Sequence, residues 1–447
     1  MRGTDPGTGV QAMFGVGQIA GQVFRDVPSL LLLFFMTNTL GIDPAVAGTA
    51  IFVPKFIWGS ICDLTVGMLS DRLSHRVQRR SWLLLGALFA PLAMILLFHV
   101  PAGTPVQNAL YVAAMFSFYM MVFAVISVPY LAIGTALSAN VHGRTAVMAW
   151  RLVFTAVGIL LASSIGPLLL QYWGGGKPAY QQLSIFLSVI SSISLVVAYL
   201  AASSGPKLQE KSASVSLPAL VKAFNVPRFT GLLGPVLLQL VGSGLSYASM
   251  LYFLNYNLAR TDSYTQLGVI VLIMTAGIIL AQPLWLALSR RFGKRAVYIG
   301  ATAGYGLNFA VWASFTAATP IEYSYLIAAS AAVFNSGWAL MSFSLLGDVI
   351  AADAEESGEE RGGFFSAVWV AADKIGFALG GTLLVGGLLS VFGFSSTNAV
   401  AGAAQPLSAH LGIAIAYGYA PVLLNLLAII WFVKAGKEVK NYGIVTR

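Results

Sequence analysis

The chain has 447 residues, of which 57% are hydrophobic and only 9% charged. Soluble globular proteins carry about 25% charged residues, so an ordinary soluble enzyme is excluded. The 25 Lys and Arg against 16 Asp and Glu give a formal charge of +9, which in so apolar a chain speaks to membrane topology and not to nucleic acid. A single cysteine, Cys62, rules out an intramolecular disulfide, and the scattered histidines His75, His99, His142 and His410 have no ligand spacing.

Apolar runs of the length a bilayer demands, about 20 residues, recur along the whole chain. They predict spans over 14–39, 45–70, 81–100, 106–138, 146–172 and 183–203, then 229–256, 266–288, 296–318, 322–351, 364–393 and 407–435. No cleavable leader is visible, so the first span is expected to insert itself. The longest polar break follows the sixth span. It divides the chain into an N-terminal six-helix half, 1–205, a linker, 206–228, and a C-terminal six-helix half, 229–447. With both termini and the even-numbered loops placed in the cytoplasm, 19 Lys and Arg lie inside and only Lys177 and Arg260 outside. The positive-inside rule asks for this bias. The fold class is therefore an all-α membrane protein of twelve transmembrane helices with both termini cytoplasmic, multi-pass in the cytoplasmic (inner) membrane. The basic loops after spans 2 and 8 echo each other, as parallel repeats related by an axis along the membrane normal would.

Seven charges fall inside predicted spans, where each costs about 2.5–3.5 kcal/mol on insertion scales. Span 1 holds Arg25 and Asp26, span 2 holds Lys55 and Asp63, span 5 holds Arg151, and span 11 holds Asp373 and Lys374. Asp63 is the candidate proton or cation site. Lys374 is the candidate partner that senses its charge. Asp373, about 100° away from Lys374 on a helix, belongs nearer a helix interface. Arg151 suits a hydrogen-bonding or anionic substrate group or a gate held closed against an acid of the loop after span 10, and Arg25 with Asp26 form a further candidate pair at the substrate unless Arg25 snorkels to the interface. Lys55 is open to two readings, an outer cavity or a pairing with Asp26. The aromatic residues Tyr130 and Trp338 are candidates to stack on a substrate's apolar face. Asp71 and Arg72 at the end of span 2, Arg144 before span 5, and Asp348, Asp353 and Arg361 after span 10 are candidate gating residues. The acidic stretch from Gly347 to Arg361 leaves span 10 as a loop in this reading, either facing basic loops of the other half as an inner ion-pair gate or simply solvated, the latter favoured for Glu359 and Glu360.

There is no P-loop, no His-Glu-x-x-His and no nucleophile elbow. The chain is not expected to be an enzyme or to hold a cofactor or metal, and transport would be driven by gradients.

Three segments resemble the glycoside–pentoside–hexuronide:cation symporters, the melibiose-permease-like branch of the major facilitator superfamily. The first runs from Trp58 through Asp63 and Gly67-x-x-x-Asp71 to Arg80. The second is Val128-Pro129-Tyr130-Leu-Ala through Arg144 to Arg151. The third runs from Asp348-Val-Ile through Gly362-Gly-Phe-Phe365-Ser to Lys374-Ile-Gly-Phe-Ala-Leu-Gly380. The resemblance extends to Phe224-Asn-Val-Pro-Arg228 and covers essentially the whole chain.

It implies a cation-coupled sugar symporter working by alternating access. Asp63 then matches the second carboxylate of the helix II cation site, Lys374 the helix XI lysine, and Arg151 the helix V arginine beside the sugar. Gly59 stands where sodium-using members have another carboxylate. Gln22 and Ser127 stand where their sugar-binding carboxylates fall. A hard cation prefers several anionic oxygens, whereas a proton needs one titratable acid. H+ is therefore expected as the coupling ion over Na+. The resemblance implies a glycoside or related sugar, and four positive against three negative membrane charges favour an acidic one such as a hexuronide. The alternative is a lipid, amphiphile or drug substrate on the same scaffold. The expected partners are a small-molecule substrate and membrane lipid, with the chain acting as a monomer and binding no nucleic acid.

Overall fold

The computed structural model describes residues 7–73, 76–138, 141–204, 226–358 and 362–441. Among these, twelve long helices follow one another. They are α1 (Thr8–Asn38), α2 (Pro44–Ser70), α3 (Ser81–Phe98), α4 (Pro105–Gly134), α5 (Thr145–Tyr172), α6 (Gly176–Ala201), α7 (Pro227–Asn257), α8 (Ser263–Leu280), α9 (Lys294–Ala313), α10 (Ile321–Ser357), α11 (Phe364–Val391) and α12 (Leu407–Gly436). Eleven are long and apolar enough to cross a bilayer; α9 adds a twelfth helix of 20 residues that opens on Lys294 and Arg295. After a break at Ala281 the chain continues helically from Gln282 to Phe292. A membrane leaves little choice but helices, since every backbone N–H and C=O must be satisfied within its own segment.

Proline at the first turn starts α2, α4 and α7, where its missing N–H costs nothing. Asp43 caps α2 by accepting from the Ala45 and Val46 N–H groups, and Thr104 with Gln107 closes a capping box on α4. The stretch expected to leave span 10 as a loop is instead helical through Ser357 and stops at Gly358, which has φ +68°. Alanine and glutamate favour helix, and glycine terminates it in the left-handed region at no steric cost.

The chain forms two compact units. The first comprises Met1–Ser212, Asp262–Gly268 and Ser395–Ala404; the second comprises Ala213–Thr261, Val269–Phe394 and Gln405–Arg447. Each repeats the same helix devices. In the first unit, α1 loosens into a π turn at Pro28–Leu32 and α5 at Leu160–Ile165. In the second, the equivalent helices α7 and α11 do so at Phe253–Asn257 and Leu379–Leu384. The turns in α5 and α11 begin at the same distance from the start of two helices of equal length, 28 residues. Further π turns interrupt α2 at Val53–Trp58 and α12 at Ile415–Tyr419.

Lipid tails are as apolar as leucine, so helices associate through close packing of small residues. A Cβ on Gly158 of α5 would come within 2.6 Å of the Gln22 Cβ of α1. A Cβ on Gly380 of α11 would collide with the Val241 carbonyl of α7. The same pair of helices is thus brought into near-backbone contact in each repeat.

Candidate functional site

Helix α1 carries Gln18, Gln22, Asp26 and Ser29 at spacings of four, four and three. This pattern puts polar groups on one side of an otherwise apolar helix. Gln22 and Asp26 are buried, at 5% and 7% exposure, and Ser29 at 6%.

At one end of this strip the Arg151 guanidinium of α5 donates from Nε and Nη2 to the Gln18 Oε1, at 3.3 and 3.1 Å. It also lies 4.9 Å from the centre of the Tyr130 ring, a distance at which a cation is attracted to the ring face. Tyr130 of α4 is fixed in turn. Its hydroxyl donates to the Phe14 carbonyl at 2.9 Å, and its ring stacks on Phe14 with centroids 4.7 Å apart. Arg151 is half-buried, so its planar fork is held in place while part of it stays accessible.

In the middle of the strip the Gln22 Nε2 donates to the Asp26 carboxylate at 2.7 Å. The Arg25 Nε stands 4.0 Å from that carboxylate, with its side chain 49% exposed. At the far end the Lys55 Nζ of α2 donates to the Ser29 hydroxyl at 2.9 Å, and that hydroxyl donates to the Arg25 carbonyl at 2.6 Å. Three cations and one carboxylate therefore line a single stripe within the first unit.

The other expected site residues fall as follows. Asp63 is half-buried on α2, next to Cys62, which packs with Val66, Trp82 and Ala124. Ser127 is half-buried on α4. In the second unit Asp373 is half-buried and Lys374 exposed on α11. Ionisable groups in a span face the bundle interior or a water-filled cavity and pair with one another or with backbone carbonyls. Trp338 is buried, its ring 6.3 Å from Tyr305.

Arg72 is exposed at the end of the helix following Gly59. Asp71 and Arg144 lie on helices whose side chains at those positions are outside the described set, and Arg361 lies outside the described residues. Asp353 is buried, at 8% exposure. Asp348 pairs with Lys294 at 2.6 Å, and Glu356 pairs with Arg228 at 2.8 Å. Both partners belong to the acidic residues' own unit, where the sequence pointed to basic loops of the other half. The reason is local: α9 and α7 begin beside the extended end of α10, with their cations at their first turns.

Two groupings escape the sequence pattern. Gln18 is the immediate partner of Arg151, and the four-residue spacing along α1 is the signal that marks it. In the second unit Gln239 of α7 donates to the Thr302 hydroxyl at 2.9 Å and accepts from the Tyr298 hydroxyl of α9 at 2.5 Å. An apolar recess of about 260 Å³ lies between α9 and α12, lined in part by Gly306, Leu307, Asn425 and Leu426.

Twelve apolar helices in two repeated units, with buried charges confined to a few helices, define a membrane carrier of the major facilitator type. Residues 13–434 match the family described as MFS/sugar transport protein, and the chain belongs to that family. It is 26% identical over 425 residues to the symporter YnaJ of Bacillus subtilis (strain 168), covering 93% of this chain and 89% of that one. It is 24% identical over 440 residues to the glucuronide carrier protein homolog of Escherichia coli (strain K12), covering 94% and 91%. The solved structure of a bacterial homolog of the human lysosomal transporter Spinster shares the fold, with a TM-score of 0.64, 14% identity and coverage of 95% and 94%. The chain is a multi-pass membrane protein and a secondary transporter, not an enzyme.

Proposed function

We propose that the protein is a proton-coupled symporter of a glycoside or related acidic sugar, working by alternating access in the cytoplasmic membrane with both termini inside. The observation that carries this reading is the Arg151 guanidinium, held by Gln18 and Tyr130 on the polar strip of α1. A fixed, partly accessible fork of N–H donors suits the hydroxyl pairs and carboxylate of a sugar acid. Gln22 and Ser127 supply neutral hydrogen-bonding groups on α1 and α4, as an uncharged sugar ring requires. The likeness to a glucuronide carrier protein homolog favours the same substrate class.

A proton is the coupling ion in this reading, taken up by Asp63, with Lys374 and Asp373 responding to its charge. Gly59 one turn before Asp63 offers no second carboxylate for a hard cation. Arg25 and Asp26 stand beside the substrate, Tyr130 and Trp338 bound it, and Asp71, Arg72, Arg144, Asp348, Asp353 and Arg361 take part in gating. The protein acts as a monomer among membrane lipid.

The test is accumulation of D-glucuronate and methyl glycosides in proteoliposomes under an imposed pH gradient. Asp63→Asn abolishes uphill accumulation and spares substrate exchange; uphill uptake of wild-type size in that variant overturns the assignment. An amphiphile substrate is the second reading, favoured by the apolar recess between α9 and α12. It predicts uptake of lysolipids and silence across the sugars.

A further inference from the structure

We propose that Asp26 is a proton-exchange site in its own right, paired with Lys55 across α1 and α2. It extends the coupling reading above, which assigns the proton to Asp63, and it stands on separate observations.

A carboxylate in a membrane span and 7% exposed needs a charge partner and hydrogen bonds to remain ionised, or a proton to become neutral. Asp26 is built to do both. Its close partner, Gln22, is an amide that serves either state: the Nε2 donates to a carboxylate, and the Oε1 accepts from a carboxylic acid O–H. A Lys or Arg in the place of Gln22 would hold the group permanently charged.

The cations are placed correspondingly. Arg25 approaches to 4.0 Å with its side chain half-exposed, and its charge acts on Asp26 more strongly than that of Lys55. Lys55 acts on Asp26 through its charge, while its Nζ rests on the Ser29 hydroxyl, 2.9 Å away. Ser29 lies three residues along the same helix, so Lys55 keeps a hydrogen-bond station whether Asp26 is charged or neutral. Proton loss from Asp26 then draws Lys55 toward the carboxylate, and proton gain leaves it on Ser29.

The backbone at this place is unusual in a way that permits such a shift. Pro28 begins the π turn of α1 two residues after Asp26, and Lys55 sits inside the π turn of α2, directly after Pro54. A π turn offsets the helix face and recurs at functional sites. Here the two are joined by the hydrogen bond from Lys55, in the π turn of α2, to Ser29, in the π turn of α1.

Among the described residues, the helices packed against α1 carry other titratable groups. From α4 comes Tyr119, whose hydroxyl donates to the Phe24 carbonyl. Arg151 of α5 is engaged by Gln18. Helix α6 carries Lys177 and Tyr180 near its start and Tyr199 near its end.

The experiment is pH-difference infrared spectroscopy of the whole protein reconstituted in liposomes, with no substrate added, between about pH 5 and about pH 9, where buried carboxylates titrate. The wild type shows a protonated-carboxyl C=O band that disappears as pH rises. Asp63→Asn keeps a component of it, and the double variant Asp26→Asn/Lys55→Met, which removes both charges together, loses that component. Asp26→Glu moves the component to a new frequency and so guards against loss through misfolding. An unchanged band in the double variant, a band Asp26→Glu does not move, or a carboxyl spectrum independent of pH in the wild type overturns the proposal. A band that depends on Asp26, with no proton movement during transport, would uphold the site and defeat the coupling reading alone.

Discussion

Helices α1 and α7 hold equivalent places in the two repeats, and each contains a π turn beyond its midpoint. Their polar chemistry differs. Along α1, Gln18, Gln22, Asp26 and Ser29 meet Arg151 and Lys55, so the strip is charged. Along α7, Gln239 meets Tyr298 and Thr302, while Ser246 donates to the Tyr417 carbonyl at 2.8 Å, so the strip is neutral. The ion pairs of the second unit lie instead at helix ends, Asp348 with Lys294 and Glu356 with Arg228. One backbone plan has thus been given two tasks. The α1 strip places charge inside its spans, where every charge is costly; the α7 strip is satisfied by uncharged hydrogen bonds, and the in-span charges of the second unit, Asp373 and Lys374, sit on α11 instead.

Substitutions sharpen or break this contrast. The largest effect belongs to Lys55→Met, which takes a cation from the buried Asp26. Lys55 is half-buried and rests on the Ser29 hydroxyl, and stranding a buried polar group costs about 1–3 kcal/mol, so the purified protein should melt lower. Asp26→Asn added to it should restore most of the loss; equal melting of the single variant and the wild type would mean the charge matters little.

Next comes Gly380→Ala, whose methyl meets the Val241 carbonyl. Overpacking costs about 1–3 kcal/mol, and the melting temperature reads it. In the neutral strip, Gln239→Leu strands the Tyr298 hydroxyl and costs about 1–3 kcal/mol. It should lower stability while leaving the pH dependence of transport as in the wild type. A shifted pH profile would place charge handling on the α7 strip after all. The smallest effect is expected of Lys294→Gln. Its ion pair with Asp348 is exposed at 39% and 54%, and such pairs contribute about 0–1 kcal/mol, so no change in melting should be resolved.

The architecture was legible in the sequence because the bilayer enforces it. Hydrophobic length alone located the twelve helices, although α6 begins earlier than expected, at Gly176, and α10 runs on to Ser357. Local propensity decides such ends, and hydropathy is blind to it: an acidic stretch reads as a loop although its alanines and glutamates favour helix. Arg25, Asp26, Lys55 and Arg151 stood out as costly charges, and their coming together on one strip in the first unit is what the fold adds. Gln18 did not stand out, since a neutral amide in a span raises no alarm until its four-residue relation to Gln22 and Asp26 is considered. The π turns left no trace in the apolar pattern, because one extra residue in a turn alters which side chains align and not how hydrophobic they are.

The most direct measurement is proton movement on adding sugar to proteoliposomes that contain the wild-type protein, with and without sodium, across glycosides and hexuronates. Alkalinisation of the external medium with one of these classes, equal in the presence and absence of sodium, is the predicted result. Uptake of a sugar that demands sodium, or that proceeds with no proton movement, would contradict the account.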